Sequence, residues 1–336
     1  MSSGYILGIS RGHNAGVCLL KDGKIVFASE EERFTRHKYD GGPLATMLKV
    51  KEYTNKIDAL VVCHTTTLDD GPKIEYTGDN LYSGLARKLG LIDRKTDIFN
   101  HPQVIDVSSL HHRVHAACAF YRSGFDEAVA VVIDGAGSAT TGQTQDGNVL
   151  LWEVESIFDC SYPDNIKTLY KHFGCRDPIV TGITTADSSQ IGEEGSFSAV
   201  VSGHAGIVKV YEAVTQYCGF QAIEAGKTMG LFPYGKENSN IPKLFLNNTK
   251  VPLADRSLFI PTYPNAAIVN HANYDELSDS PTGDDHSWTE FQNRRDLAYA
   301  CQTQTQEQAL DLILTAVKMS GKKKVVLSGG YGLNCV

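Results

Sequence analysis

The feature that most constrains the fold is a series of short apolar segments that opens the chain and recurs near its middle. Three strand-like segments precede any helix: Tyr5–Ser10, Ala15–Leu20 and Lys24–Ser29. Lys21-Asp22-Gly23 supplies a hairpin turn between the second and the third. A new apolar strand, Glu127–Ile133, is followed by a turn and another strand-like segment, Asn148–Phe158. This recurrence predicts a duplicated α/β fold with two subdomains, which we place at residues 1–123 and 124–336.

The remaining periodic segments alternate between helix and strand, as in α/β proteins. Helices are predicted in six segments: Pro43–Tyr53, Asn80–Leu89, Leu110–Tyr121, Gly206–Tyr217, Glu224–Leu231 and Arg294–Met319. Further strands are predicted at Ile57–Cys63, Val104–Val107 and Lys324–Ser328. Residues 159–195 and 236–290 are mixed and polar, and we interpret them as irregular insertions in which specificity for a substrate would lie.

Composition excludes several classes of protein. The net charge of −8 and the pI near 5.8 give no field that attracts a phosphate backbone, so we expect no non-specific nucleic-acid binding. No segment reaches the apolar length of a membrane span, and the first residues lack the pattern of a secretory signal. We therefore expect a cytoplasmic protein without a membrane partner. The eight cysteines contain no CxxC pair and are interpreted as buried free thiols.

One predicted helix carries histidines at the spacing of metal ligands. His111 and His115 lie four positions apart, so their imidazoles project from one helix face and can bind one ion. Asp134 follows the next strand, and two histidines with one aspartate suit zinc or ferrous iron. No glutamate follows the first histidine, which excludes a zincin-type metalloprotease. Histidines that cap helices or bond within a core have the same spacing, so the pattern alone leaves both interpretations open.

Glycine-rich turns follow three of the apolar strands: Gly8 and Gly12, then Gly135 and Gly137, then Gly329, Gly330 and Gly332. Glycines at strand ends let backbone N–H groups approach a phosphate closely, and two such turns from two halves could clamp a nucleotide in an interdomain cleft. Each turn taken singly is better explained as an ordinary turn that needs a positive φ angle.

A charged run, Glu30–Lys38, directly follows the third strand. Such a run is usually a solvated face, although the basic residues Arg33, Arg36 and Lys38 are candidates for contact with a phosphate. His13 lies between small turn residues at a strand end and is a candidate general base, or else a hydrogen-bonded loop histidine.

Six segments, taken together and in order, resemble the NodU and tobramycin-type O-carbamoyltransferase family. The segments are Gly8–Ala15, Glu30–Lys38, His111–Ala117, Asp134-Gly135, Gly226–Gly235 and Ser328–Asn334. The resemblance implies a duplicated fold of the actin/hexokinase/Hsp70-like (ASKHA) class, related to the tRNA threonylcarbamoyl-transfer proteins. It also implies a divalent metal, iron(II) foremost and zinc or manganese as alternatives, held by His111, His115 and Asp134.

The chemistry that the resemblance implies is transfer of a carbamoyl group to an acceptor hydroxyl. A YrdC-like domain makes carbamoyl-adenylate from carbamoyl phosphate and ATP, and His13, Arg36 and Lys38 would then assist the transfer step. The metal would hold the phosphate or polarise the carbamoyl carbonyl. The residues expected at the nucleotide are Gly135, Gly137, Lys227, Gly329, Gly330, Gly332 and Asn334.

The chain departs from the family in lacking the YrdC-like domain and a further acidic metal ligand that relatives supply after the glycine motif. We therefore expect a C-terminally truncated chain, or one completed by a partner polypeptide. An open sheet edge would favour pairing with that partner or with a second copy. Two other functions stay open, an ASKHA-type small-molecule kinase and a non-catalytic nucleotide-binding subunit. The sequence does not identify the acceptor.

Overall fold

The computed structural model describes residues 4–11, 14–63, 81–94, 101–144, 147–175, 185–186, 197–202, 206–239, 241, 244–245, 260–261, 267–268 and 292–336. The chain divides into two compact units, Met1–Val114 and His115–Val336. The division falls inside a helix, and the predicted boundary at residue 124 lies at the end of that same helix. None of the helices in the described ranges is long and apolar enough to cross a membrane.

The first unit is built on a mixed five-stranded sheet. Its elements in chain order are β1 (Tyr5–Ser10), β2 (Gly16–Lys21), β3 (Lys24–Glu30), α1 (Glu32–Thr35), α2 (Leu44–Val50), β4 (Ala59–Cys63), α3 (Leu81–Lys88), β5 (Val104–Asp106) and the start of α4 (His111–Ser123). The strand order is β3-β2-β1-β4-β5, with β1 to β3 antiparallel and β4 and β5 parallel to β1. Asp22 and Gly23 both have positive φ angles, as a two-residue hairpin turn requires. The predicted antiparallel opening of the chain is confirmed.

The core of this unit forms on one face of the sheet, where alternate strand residues meet α2 and α3. Leu7 and Ile9 of β1 and Val17 and Leu19 of β2 are buried, together with Met47 of α2. Alternation of buried and outward residues is what a half-covered antiparallel sheet requires. The sequence pattern and the packing therefore agree.

The charged run after β3 is only partly a solvated face. Glu31 is buried, and its carboxylate accepts hydrogen bonds from the N–H groups of Ala45 and Thr46 at the start of α2, at 2.6 and 2.8 Å. A carboxylate in this position satisfies backbone donors that a helix leaves unpaired and complements its dipole. Glu31 thus fixes the start of a core helix.

The second unit contains the rest of α4 and a larger sheet. Its elements in chain order are β6 (Glu127–Ile133), β7 (Ala139–Thr144), β8 (Gly147–Ser161), β9 (Asn165–Cys175), β10 (Thr185–Ala186), β11 (Ser198–Ser202), α5 (Ile207–Tyr217), α6 (Ala225–Leu231), β12 (Ile260–Pro261), β13 (Ala267–Ile268), α7 (Gln292–Ser320) and β14 (Val325–Ser328). A short 3-10 turn, Gly330–Leu333, follows β14.

The strand pairings of the second unit repeat those of the first. β6 and β7 pair with successive parts of β8, and β9 pairs with β8 along the opposite edge. β14 is parallel to β6, as β4 is parallel to β1. The second unit therefore has its own antiparallel meander with a parallel strand beside it, which confirms the predicted duplicated α/β fold.

The prediction that residues 159–195 are irregular was wrong for the part up to residue 175, which forms the end of β8 and all of β9. The reason is that two buried positions of β9 carry basic side chains, Lys171 and His172. These residues hide the apolar alternation that identifies a strand. The predicted insertion at 236–290 lies mostly outside the described residues.

Strand β6 is the centre of the second unit and is buried on both faces. Val129, Val131 and Ile133 face a core formed with α5 and α7, while Ala130 and Val132 face a core that includes residues of α4. Helices on both faces explain why β6 reads as a continuous apolar run.

The cysteines agree only partly with the prediction of buried thiols. Seven cysteines of the described residues are free: Cys18, Cys63, Cys118, Cys160, Cys218, Cys301 and Cys335. Three of these, Cys160, Cys218 and Cys301, are buried, whereas Cys118 and Cys335 are exposed.

Candidate metal and nucleotide site

Helix α4 presents two of its three histidines together. The helix begins at His111, so His111 and His115 lie one turn apart and are both half-buried. His112, by contrast, is fully buried. His111 and His115 are therefore the two histidines that stay candidates for metal binding, whereas His112 is a core residue.

Asp134 is the first residue after β6, and hydrogen bonds to neighbouring backbone groups hold both its N–H and its carboxylate. Its N–H donates to the carbonyl of Val154 on β8 at 2.9 Å. One carboxylate oxygen, Oδ1, accepts the N–H of Gly330 at 2.9 Å, and the other, Oδ2, lies 3.8 Å from Nε2 of His115. The carboxylate is thus oriented by the turn after β14, with one oxygen directed towards the helix.

The donor set of His111, His115 and Asp134 fits a divalent cation. One ligand atom from each of the three residues lies within 4.8 Å of the others. Atoms bound to one ion at about 2.1 Å each lie about 3 to 4 Å apart, so small side-chain adjustments suffice. The Asp134 side chain is 15% exposed and that of His115 34%, which leaves room for an oxygen donor from outside the protein.

Glycines allow two turns to meet beside Asp134. Gly329 has a φ of 90°, and a Cβ there would lie 2.3 Å from the carbonyl oxygen of Ile133, so only glycine fits where the end of β14 touches the end of β6. Gly330 follows and donates to Asp134. A Cβ on Gly135 would lie 2.9 Å from Oε1 of Glu212. The structure therefore brings three of the predicted glycines together with the aspartate.

Two residues of α5 that the sequence analysis missed lie beside Gly135, in the turn after Asp134. Lys209 and Glu212 form an ion pair at 2.8 Å beside Gly135. Burial raises the pKa of the Glu212 carboxyl to about 7, against the opposing effect of Lys209. The available signal was a charged i, i+3 pair within an otherwise apolar helix stripe.

Of the other predicted glycines, Gly8 lies within β1 and not in a turn after it, and Gly12 lies outside the described residues. Gly137 and Gly332 are held by backbone contacts. The N–H of Gly137 donates to the carbonyl of Glu153 at 2.9 Å, and the N–H of Gly332 donates to the carbonyl of Gly329 at 2.9 Å. Both glycines thus belong to the two turns, Gly137 behind Asp134 and Gly332 within the 3-10 turn after β14.

Lys227 and Asn334 have partners within the chain. Lys227 is half-exposed on α6, with Nζ 2.6 Å from the Glu224 carboxylate. The side-chain amide of Asn334 exchanges two hydrogen bonds with that of Gln302 on α7, at 2.9 and 3.2 Å. A role of either side chain at a nucleotide remains a prediction.

The predicted transfer residues lie in the first unit. Arg36 ends α1 with a positive φ angle and is exposed. Lys38 is exposed and places Nζ 4.8 Å from the centre of the Tyr39 ring. His13 lies outside the described residues.

Comparison with known proteins identifies the family. The family model described as Carbamoyltransferase N-terminus matches residues 45–336. The chain is 27% identical over 368 residues to the uncharacterized protein sll1178 of Synechocystis sp. (strain PCC 6803), an alignment that covers 99% of this chain and 51% of that protein. It is 27% identical over 168 residues to the nodulation protein NolNO of Sinorhizobium fredii, covering 47% of this chain and 24% of that one. The chain thus spans about half the length of the first relative, and its alignment with the second covers about a quarter of that protein.

Solved structures give weaker likenesses. The Lmo2764 protein of Listeria monocytogenes is 9% identical, with a TM-score of 0.36 and coverage of 97% of this chain and 83% of that one. A ROK family glucokinase of Streptomyces griseus is 10% identical, with a TM-score of 0.31 and coverage of 98% and 96%. TM-scores of this size carry no argument about function. The family model, in contrast, matches most of the chain, and the chain therefore belongs to the carbamoyltransferase family, in the part that the model describes as the N-terminus.

Proposed function

We propose that this chain forms the metal- and nucleotide-binding part of an O-carbamoyltransferase, which passes a carbamoyl group from carbamoyl-adenylate to the hydroxyl of a small-molecule acceptor. The observation that carries the proposal is the convergence of His111, His115 and Asp134 at a strand end where two glycine turns meet. Membership of the carbamoyltransferase family supports the type of group transferred. We assign synthesis of the adenylate from carbamoyl phosphate and ATP to a YrdC-like domain.

His111, His115 and Asp134 would hold the metal, for which iron(II) is our first choice. When bound there, the ion supplies Lewis acidity towards a phosphate or carbonyl oxygen. The Gly330 N–H keeps one Asp134 oxygen occupied, so the carboxylate offers its other oxygen on the side of His115. A fixed orientation of this kind is what a hydrogen-bonded ligand contributes to a metal site.

The transfer step forms one bond and breaks one. The acceptor oxygen attacks the carbamoyl carbon, the bond from that carbon to the adenylate oxygen breaks, and AMP leaves with the electron pair. We assign the proton of the acceptor hydroxyl to His13, and stabilisation of the developing negative charge to Arg36 or Lys38. Backbone N–H groups of the turns at Gly135 and Gly330 are the candidates for contact with the phosphate.

The metal site is tested by titrating the purified metal-free chain with cobalt(II) or iron(II) without oxygen. We expect about one ion per wild-type chain, and at least tenfold weaker binding in His111→Ala and in His115→Ala. The exposed His37 provides the matched control, since His37→Ala should bind like wild type. Thermal unfolding of each variant checks that the fold is retained.

Binding of AMP to the same samples separates the proposed function from its alternatives. Binding that strengthens with metal and weakens in His115→Ala supports the transferase site. AMP binding that is equal with and without metal, in wild type and both variants, would favour a kinase or a non-catalytic nucleotide-binding subunit. Absence of metal binding in wild type contradicts the proposal as it concerns this chain.

A further inference from the structure

Two buried carboxylates lie on β8 directly behind the turn that carries Asp134. Glu153 is fully buried and Glu155 nearly so, and each pairs with a basic residue of β9: Glu153 with Lys171, and Glu155 with His172. Neither pair is part of the ligand set. Because a buried ion pair usually adds little stability over an apolar pair of the same size, stability alone is a weak reason for their presence.

An irregularity in the β8–β9 ladder separates the two carboxylates. Glu153 pairs with Phe173 and Glu155 with His172, so Val154 is an extra residue on β8. Such a bulge bends a strand and redirects its groups. The carbonyl of Val154 is the group that accepts the N–H of Asp134, at 2.9 Å. The residue that is extra in the β8–β9 ladder thus binds the first residue of the turn on its other side, where it continues the β6–β8 pairing.

Glu153 holds the other end of the same turn through three contacts. Its carbonyl accepts the N–H of Gly137 at 2.9 Å, its own N–H donates to the carbonyl of Ser138 at 3.1 Å, and its carboxylate Oε2 accepts the N–H of Ser138 at 2.9 Å. The second carboxylate oxygen, Oε1, bonds to the buried ammonium of Lys171. Both oxygens of Glu153 are engaged, and the charge of Lys171 offsets the cost of burying the carboxylate.

We propose that Glu153, together with Lys171, is a positioning residue for Asp134. The carboxylate fixes residues 134–138 in one conformation, and that conformation keeps the Asp134 carboxylate on the Gly330 N–H and within reach of His115. The placement of the turn follows from contacts of the chain itself. Only its consequence for metal affinity rests on the proposed function.

Two neutral double variants test this role. Glu153→Met/Lys171→Met removes both charges and the acceptor for the Ser138 N–H, at similar side-chain volume. Glu153→Gln/Lys171→Met also removes both charges but keeps an oxygen acceptor for that N–H. The two variants differ in the amide group at position 153, whose oxygen can accept the Ser138 N–H and whose NH2 adds two donors, and both lack the ion pair, so a difference between them does not come from its loss. Leu312→Ala, a core truncation on α7, is the control for general destabilisation.

The first measurement is amide hydrogen exchange in the metal-free proteins. We expect exchange at Ser138 and Gly330 to be at least about tenfold faster than wild type in the methionine variant, and close to wild type in the glutamine variant and in Leu312→Ala. Equal acceleration in both double variants would overturn the proposal, because the acceptor would then make no difference. In wild type itself, a Ser138 amide that exchanges like an open loop would also overturn it, even if the methionine variant does not fold.

The second measurement is the affinity for cobalt(II). We expect about 10- to 100-fold weaker binding in the methionine variant, as is typical when the support of a metal ligand is lost, and recovery in the glutamine variant. If wild type binds no cobalt(II) but the exchange results hold, the proposed metal function fails and the positioning role stands. If the methionine variant binds cobalt(II) as tightly as wild type, the positioning role fails and the metal function stands.

Discussion

Burial of the Glu212 carboxyl predicts that the contribution of this group to the stability of the metal-free chain falls as the pH rises. The side chain is 18% exposed, and burial raises its pKa from 4.5 to about 7 although Lys209 opposes the change. The folded chain therefore keeps this proton at pH values where the unfolded chain has lost it. The stabilising contribution is fully present below about pH 4.5 and is lost as the pH rises through about 7.

The two pKa values give the size of the effect. The pKa of Glu212 is taken as 4.5 in the unfolded chain and about 7 in the folded one. The contribution of this group to the free energy of unfolding then falls by about 2 to 3 kcal/mol between pH 5 and pH 8. Glu212→Gln removes the titration, while the side chain keeps its length and an oxygen acceptor for Lys209. Between pH 5 and pH 8, we expect the free energy of unfolding of wild type to fall by that amount more than the free energy of unfolding of this variant.

The assay is urea unfolding of both proteins at pH 5, 6, 7 and 8 after treatment with a chelator. Subtracting the free energy of unfolding of the variant from that of wild type at each pH cancels the contribution of the histidines, which both proteins share. Glu52→Gln, at a largely exposed position, is the control and should follow wild type. Parallel pH profiles for wild type and Glu212→Gln would refute the reasoning and would mean that the Lys209 ion pair outweighs the cost of burial.

Two further predictions concern glycine and cysteine positions. Gly329→Ala should lower the free energy of unfolding by about 3 kcal/mol, because Gly329 has a positive φ angle and lies close to the Ile133 carbonyl. Gly226→Ala, in a helix with open space around it, should instead raise the free energy of unfolding by up to about 1 kcal/mol. Thermal unfolding of both variants measures these changes, and equal effects would contradict the prediction. Burial raises the pKa of the Cys301 thiol well above its usual value of 9.0, so a thiol reagent should modify the exposed Cys118 and Cys335 in the native chain and Cys301 only after unfolding. Mass spectrometry of the labelled peptides decides this, and rapid native labelling of Cys301 would be the contrary result.

The proximity of His111, His115 and Asp134 could be predicted because they lie on two successive elements, a helix and the strand that follows it. His111 and His115 share one helix, and Asp134 ends the next strand, so helical spacing and one strand boundary were enough to bring them together. The strands of the first meander, and β6 and most of β8 in the second, were predicted for the same reason, since the pattern within a few residues defines them. The contact between Gly330 and Asp134 could not be predicted from local spacing, because only the pairing of β14 with β6 brings the Gly330 N–H to the Asp134 carboxylate.

The groups that support the ligands could not be predicted, and the reason is physical. Glu153 and Glu212 contact the turn after Asp134, and Lys171 contacts Glu153, only through the packing of β8, β9 and α5, which no local spacing in the sequence reveals. The charge of Lys171, with that of the neighbouring His172 when protonated, also breaks the apolar pattern on which strand prediction depends, and β9 was therefore predicted as irregular. Buried charge is costly, however, and a chain that places it on two adjacent strands needs a compensating use for it. Here the charged stretch that obscured the strand lies behind the turn that holds Asp134. Lys171, whose charge hid β9 from the apolar pattern, is thus also the partner of the carboxylate that holds the turn.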